Sequence, residues 1–181
     1  GSLRRVEEAK GRSDGEGPFT GAVSRGAEAK ERQFNPCKED PEMNAVFLIG
    51  RIIFGGFFLV NGINHFTMMS MMATYSEAKG VPAAGPAVVV TGLLLIFGGL
   101  SVLLGFLPRL GLGALIVFLV GVTPLMHGFW QVADAQARMM ETTQFMKNAA
   151  LLGAALALLR LPLPWPMSLG ARLERRPNGI T

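Results

Sequence analysis

The chain has 181 residues, half of them hydrophobic and 17% charged, with a mean hydropathy of +0.37, a formal net charge of +4 and a pI of about 9.7. Seventeen of its thirty Lys, Arg, Asp and Glu residues precede Met43, so the remaining 139 residues are far more apolar than the average suggests. That is membrane composition, which excludes a soluble domain around a central core; the basic balance reads as charge flanking membrane spans, not as nucleic-acid binding.

Residues 1–42 are rich in Gly, Glu, Arg, Lys and Ser and show no helical apolar stripe. They cannot bury enough surface to offset ordering entropy and are expected to be a disordered N-terminal extension, with Met43 a candidate natural start. They do not read as a signal peptide, because the apolar run follows only after a long polar stretch. The one cysteine, Cys37, falls in this extension. A single thiol forms no intramolecular disulfide, CxxC pair or Cys/His metal framework, so any redox role needs a bound cofactor or a partner chain.

Four apolar segments follow, at roughly Asn44–Phe66, Pro86–Leu107, Leu110–Met126 and Phe145–Leu163, each of about the length that crosses a bilayer. Pro108-Arg109 is expected as the tight turn between the second and third. Residues 67–85 and 127–144 are expected as the first and third connections. Pro162, Pro164 and Pro166 stop the fourth helix. The expected fold is all-α: an integral membrane four-helix bundle over residues 43–166, followed by a basic C-terminal tail at 167–181. Four spans put both termini on one side. Lys30, Arg32, Lys38, Arg109, Arg160, Arg172, Arg175 and Arg176 lie there, against Lys79, Arg138 and Lys147 opposite. The positive-inside rule then predicts a multi-pass protein of the cell membrane with both termini cytoplasmic.

Arg51 interrupts the first apolar run, where a charge costs a few kcal/mol or more unless it snorkels or finds a partner. At 100° per residue, Arg51, Gly55, Phe58, Gly62 and His65 share one stripe within about 40°, while Asn61 lies about 80° away. Small residues permit close helix packing and polar residues avoid lipid, so both turn the stripe inward. The four segments hold no Asp or Glu. Arg51 and Asn61 are therefore read as structural polar residues, and Arg51 is expected either to snorkel or to meet backbone carbonyls, a lipid or a partner chain. Thr91, Gly98 and Gly105 on one stripe of the second helix, and Gly92 with Gly99 on another, imply two neighbours. In the third helix Gly113, Val117, Val120 and Pro124 line up with His127. A helical continuation would extend that line to Gln131, Asp134 and Arg138, with an Asp134–Arg138 pair.

His65 ends the first helix, His127 ends the third, and Lys147-Asn148 open the fourth, so all three ends meet at one membrane face. The candidate headgroup or partner site is His65, His127, Trp130, Lys147 and Asn148, with Asp134 nearby. Histidine titrates near neutrality and suits proton-coupled chemistry; the bland alternative is interfacial residues capping helix ends. Two histidines are too few for a structural zinc, and Met68, Met69, Met71 and Met72 read as adaptable apolar filler before they read as a copper site, so no metal is expected.

From Met43 to about Leu163 the chain resembles the DoxX family of small membrane proteins. The resemblance rests on Gly50-Arg51 with Asn61-Gly62-Ile63-Asn64-His65-Phe66; on Thr91-Gly92, Gly98-Gly99-Leu100, Gly105 and Arg109; on His127 with Phe129-Trp130; and on Phe145-Met146-Lys147-Asn148 with Gly153. No single motif is specific; their order and spacing carry it. Family members often have lysine where His65 stands and an acidic residue where this chain has Leu94 or Leu95. The resemblance implies a four-helix bundle. It also implies, for some members, subunits of membrane redox systems such as quinone-reducing thiosulfate oxidation and oxidant-resistance complexes. The expected role is a membrane subunit of a redox or quinone-linked complex, at most part of an oxidoreductase, with quinone as candidate cofactor. The expected partners are the lipid bilayer and a membrane protein or a second copy. A non-enzymatic membrane scaffold is the alternative, and a small-solute carrier a further one.

Overall fold

The computed structural model describes residues 41–174. Cys37, residues 1–40 of the expected extension, and the basic residues Lys30, Arg32, Lys38, Arg175 and Arg176 lie outside the described residues. Among the described residues the structure is helical, with no strand. Its helices are α1 (Pro41–Thr67), α2 (Met69–Ala78), α3 (Ala84–Leu104), α4 (Pro108–Met126), α5 (Ala135–Leu159) and α6 (Leu169–Glu174), with a 3₁₀ turn at Phe129–Gln131.

α1 begins two residues before the expected start of order. Pro41 suits a first helical position, where no N–H partner is missing, and Glu42 complements the positive end of the helix dipole. The first connection contains α2, set off from α1 by a turn at Met68. The turn between α3 and α4 sits at Gly105–Leu107, not at Pro108-Arg109. Gly105 takes a left-handed conformation at φ 63°, and the Phe106 N–H bonds Ser101 O in a Schellman-type close. Pro108 then starts α4, again where its absent N–H costs nothing. α4 stops at Met126 and Gln131 ends the separate 3₁₀ turn, so no continuous α-helix carries the line on to Asp134. Asp134 instead caps α5, its Oδ1 accepting the Ala137 N–H at 2.8 Å. That cap starts α5 ten residues before Phe145, because Ala, Gln, Arg and Met propagate a helix whether or not they are apolar. Residues of the expected C-terminal tail are also ordered: α6 is capped by Ser168 Oγ on the Ala171 N–H.

α1, α3 and α4 (with the turn that follows it) are long and apolar enough to cross a membrane. α5 has the length, but Arg138, Glu141 and Lys147 dilute its hydropathy. The long helices pack in chain order, α1 on α3, α3 on α4 and α4 on α5, while α1 and α5 are not packed backbone to backbone. The residues α1 buries are Arg51, Gly55, Phe58 and Gly62, four of the five on its stripe. Its seam with α3 is close: a Cβ on Gly99 would stand 2.8 Å from Gly55 O and 2.7 Å from Leu59 N, so only glycine fits. The two small-residue faces of α3 serve two neighbours, Gly92 and Gly99 toward α1 and Gly98 toward Leu115 of α4. α4 buries Gly111, Leu112, Leu115, Leu119 and Thr123. The stripe through Val117 and Val120 faces outward, where lipid would cover it.

Arg51 does not snorkel. It is 2% exposed, and its guanidinium donates to Val102 O (Nε, 3.2 Å), Leu103 O (Nη2, 2.9 Å) and Pro166 O (Nη1, 2.9 Å). Two of these carbonyls belong to the last turn of α3, which carries the negative end of the dipole, and one of them, Val102 O, also accepts the Gly105 N–H at 3.2 Å. The third belongs to the proline-rich segment after α5. Phe47 and the buried Trp165 flank the cation, with ring centroids 5.8 and 5.6 Å from Cζ.

Candidate ligand site

At the opposite end of the helices from Arg51, a cavity of about 320 Å³ lies between α1, α3, α4 and α5 and is roofed by α2. Its volume is at the small end of the range for small-molecule sites. The walls are apolar, including Phe58, Leu95, Phe118 and Leu119, and the polar groups come from the helix ends. His65, His127, Lys147 and Asn148, four of the five residues expected at this site, line this one cavity, and so does Asn61. Trp130 does not. It is 55% exposed and stacks edge-on against Phe129 and Phe145, an interfacial aromatic cluster beside the site. Asp134 is occupied as the α5 cap, and no Asp134–Arg138 ion pair forms among the described residues.

Each histidine is held through the same ring nitrogen. His65 Nδ1 lies 2.8 Å from Asn61 O, and a carbonyl only accepts, so Nδ1 donates. His127 Nδ1 lies 2.8 Å from Glu141 Oε2, on a carboxylate that Lys79 Nζ also meets at 2.7 Å and Tyr75 Oη at 3.1 Å, both on Oε1. Among the described residues neither histidine's Nε2 has a partner. Asn61 satisfies its own amide on Phe57 O at 2.7 Å. Asn148 is buried except where it meets the cavity, and its amide makes no hydrogen bond among the described residues. Lys147 stands at the rim, its Nζ 5.9 Å from the ring centroid of Phe57 on α1.

Burial works to raise the Glu141 carboxyl, but hydrogen bonds from Lys79, His127 and Tyr75 and the Lys79 charge overcome it and hold it down at about 2. The same contact raises Lys79, chiefly through its hydrogen bond to Glu141. Tyr75 is raised by burial and by the Glu141 charge. This end of the molecule therefore carries a fixed carboxylate and a fixed ammonium that cancel locally, and the Lys147 charge is left to the cavity mouth.

Glu141, Tyr75 and Lys79 were not among the expected site residues. Glu141 was placed in a connection because the fourth segment was begun at Phe145. The signal was present: Asp134 followed by Ala-Gln-Ala-Arg is a helix start, and a helix from there puts Glu141 and Asn148, seven residues apart, on one face. Nothing local in the sequence brings Tyr75 and Lys79 to α5; that depends on how α2 folds back over α3.

With helices and no strand among its described residues, three of them apolar and of bilayer-crossing length, and a cavity closed by polar groups at the helix ends, the chain is an integral membrane protein. Residues 46–128 match the family model described as DoxX, and over that stretch the chain is similar to that family. The match takes in α1 through α4 and ends at the residue after His127; α5, which supplies Lys147, Asn148 and Glu141, lies beyond it. No curated protein and no solved structure matches the chain.

Proposed function

We propose that this protein is a four-span membrane subunit of a quinone-linked redox system, in which the cavity receives a quinone-type headgroup and a partner oxidoreductase exchanges the electrons. The observation that carries this reading is the convergence of His65, His127, Lys147 and Asn148 on one apolar-walled cavity at a helix end. A quinone ring is flat and apolar with a polar oxygen at each end, so it needs apolar walls and a few hydrogen-bonding groups of this kind. Lys147 and the Asn148 amide can donate to a ring oxygen, and Phe57 and Phe118 offer faces and edges to the ring. The sparse backbone packing between α1 and α5 supports entry from the lipid, where such molecules dissolve.

The test is equilibrium binding of a short-chain benzoquinone to the purified protein in lipid nanodiscs. The hydroquinone form is measured beside it, and H65A and H127A, each removing one hydrogen-bond acceptor from the wall, should weaken its binding at least several-fold. Affinity unchanged in both variants would overturn the site assignment. Wild-type protein that binds neither oxidation state would overturn the quinone reading altogether, and would favour the scaffold role.

A further inference from the structure

Both histidines on the cavity present the same kind of nitrogen to it, and the reason is written in what holds the other one. Asn61 O can only accept, so His65 keeps its proton on Nδ1. The Glu141 carboxylate receives Lys79 Nζ and Tyr75 Oη on one oxygen and His127 Nδ1 on the other. A carboxylate held down at about 2 is ionised throughout the physiological range and accepts only, so His127 also keeps its proton on Nδ1. In the neutral rings each Nε2 is then a lone-pair acceptor, and neither has a partner within the described residues. Glu141 does not line the cavity; it acts on a ligand only through His127.

From this arrangement we infer that Glu141 is a positioning residue that fixes His127 as a hydrogen-bond acceptor, so that the cavity selects the hydroxyl-bearing, reduced form of its ring ligand over the carbonyl-bearing, oxidised form. The inference deepens the reading of the cavity as a quinone site and depends on it for the identity of the ligand. A hydroquinone O–H can donate to either Nε2. A quinone carbonyl in the same place would set lone pair against lone pair and would have only Lys147 and Asn148 as donors. Leaving a buried polar group unmatched in this way is the strongest means a site has of rejecting a close analogue.

The side of Glu141 away from His127 makes the test sharp. In E141Q the amide carbonyl would take the place of Oε1, because the Lys79 ammonium only donates and must be met there by an acceptor. The amide NH₂ would then face His127 Nδ1, which would have to accept, and the ring proton would move to Nε2. One substitution of nearly the same shape should therefore turn His127 from acceptor to donor toward the cavity.

Two measurements read this separately. Ring ¹⁵N spectra of histidine-labelled protein, taken at pH 8 where an ordinary imidazole is neutral, should show His127 as the Nδ1–H tautomer, with the H65N variant assigning it. E141Q should show Nε2–H. The groups that face the ring are His65 from α1, Tyr75 and Lys79 from α2, and Glu141 and Lys147 from α5; α3 presents no ionisable side chain to the cavity. Binding of a short-chain benzoquinone and of its hydroquinone to the same nanodiscs should favour the hydroquinone in wild type by about tenfold, the worth of roughly one good hydrogen bond, and E141Q should remove or reverse that preference. A wild-type Nε2–H tautomer would overturn the inference even if E141Q did not fold. So would equal affinities for the two oxidation states in wild type. If neither form binds, the quinone reading falls, while the spectra still decide the role of Glu141.

Discussion

Arg51 shows what a single charge at membrane depth does when the lipid offers it nothing. Its three donors reach two carbonyls at the end of α3, Leu103 O and the Val102 O that the Gly105 N–H also meets, and one in the proline-rich segment where α5 has stopped. Five donors in a rigid fork allow this; an ammonium is a point charge and cannot span the same three acceptors. R51L should leave buried carbonyls without partners at about 1–3 kcal/mol each. R51K should fall between R51L and wild type. Thermal unfolding in detergent gives the order, and an R51K protein as stable as wild type would refute the fork argument. Gly105 belongs to the same arrangement, since its left-handed backbone turns the chain under the guanidinium, and a Cβ there would stand 3.0 Å from Nη2.

Between elements, the decisive contact is the one that ties α2 to α5. α2 is short and would be marginal alone, so its position over the cavity depends on packing against α3 and on Tyr75 and Lys79 reaching Glu141. The folded carboxyl at about 2 lies below its ordinary value of 4.5, so Glu141 contributes stability that is fully present above pH 4.5 and is lost as the pH falls toward 2. E141Q should therefore be less stable than wild type by about 1.5–3 kcal/mol at pH 7, the range for hydrogen bonds to a charged group. The gap should hold to about pH 4.5 and close below it. Melting curves of both proteins from pH 7 to pH 3 test this, and a gap that closes above pH 5 would mean the carboxylate is not held by these donors. The sequence reading missed this tether because it treated residues 67–85 and 127–144 as connections, and a connection carries no face on which to place a side chain.

For the whole molecule, the question is whether α5 crosses the bilayer as α1, α3 and α4 are built to do. Its apolar part begins only after Glu141, and its buried residues, Asn148 and Ala155, lie on the side that meets α4 and the cavity. A fourth crossing would put Arg138 and Arg160 on opposite faces and return the C-terminal segment to the side of Arg109. Single cysteines at those three exposed positions, in a C37S background, should label with a membrane-impermeant reagent from one side at Arg138 and from the other at Arg109 and Arg160. Labelling of Arg138 and Arg160 positions from the same side would show that α5 lies along the membrane, and the cavity would then need a different lipid-facing wall.

The sequence by itself determined the class and much of the geometry. Apolar run lengths marked the helices α1, α3 and α4, and helical periodicity picked out the buried stripe of α1 from Arg51 to Gly62. Counting crossings brought His65, His127, Lys147 and Asn148 to one end. These follow from chain order and a 100° step, which are local properties. Only the tertiary structure decided what the polar groups meet beyond their own helix: carbonyls for Arg51 and Glu141 for His127, with Trp130 left outside. Partners of that kind come from segments more than fifty residues apart or from loops that turn out to be helices, and no periodicity in the chain encodes which acceptor a folded neighbour will leave unpaired.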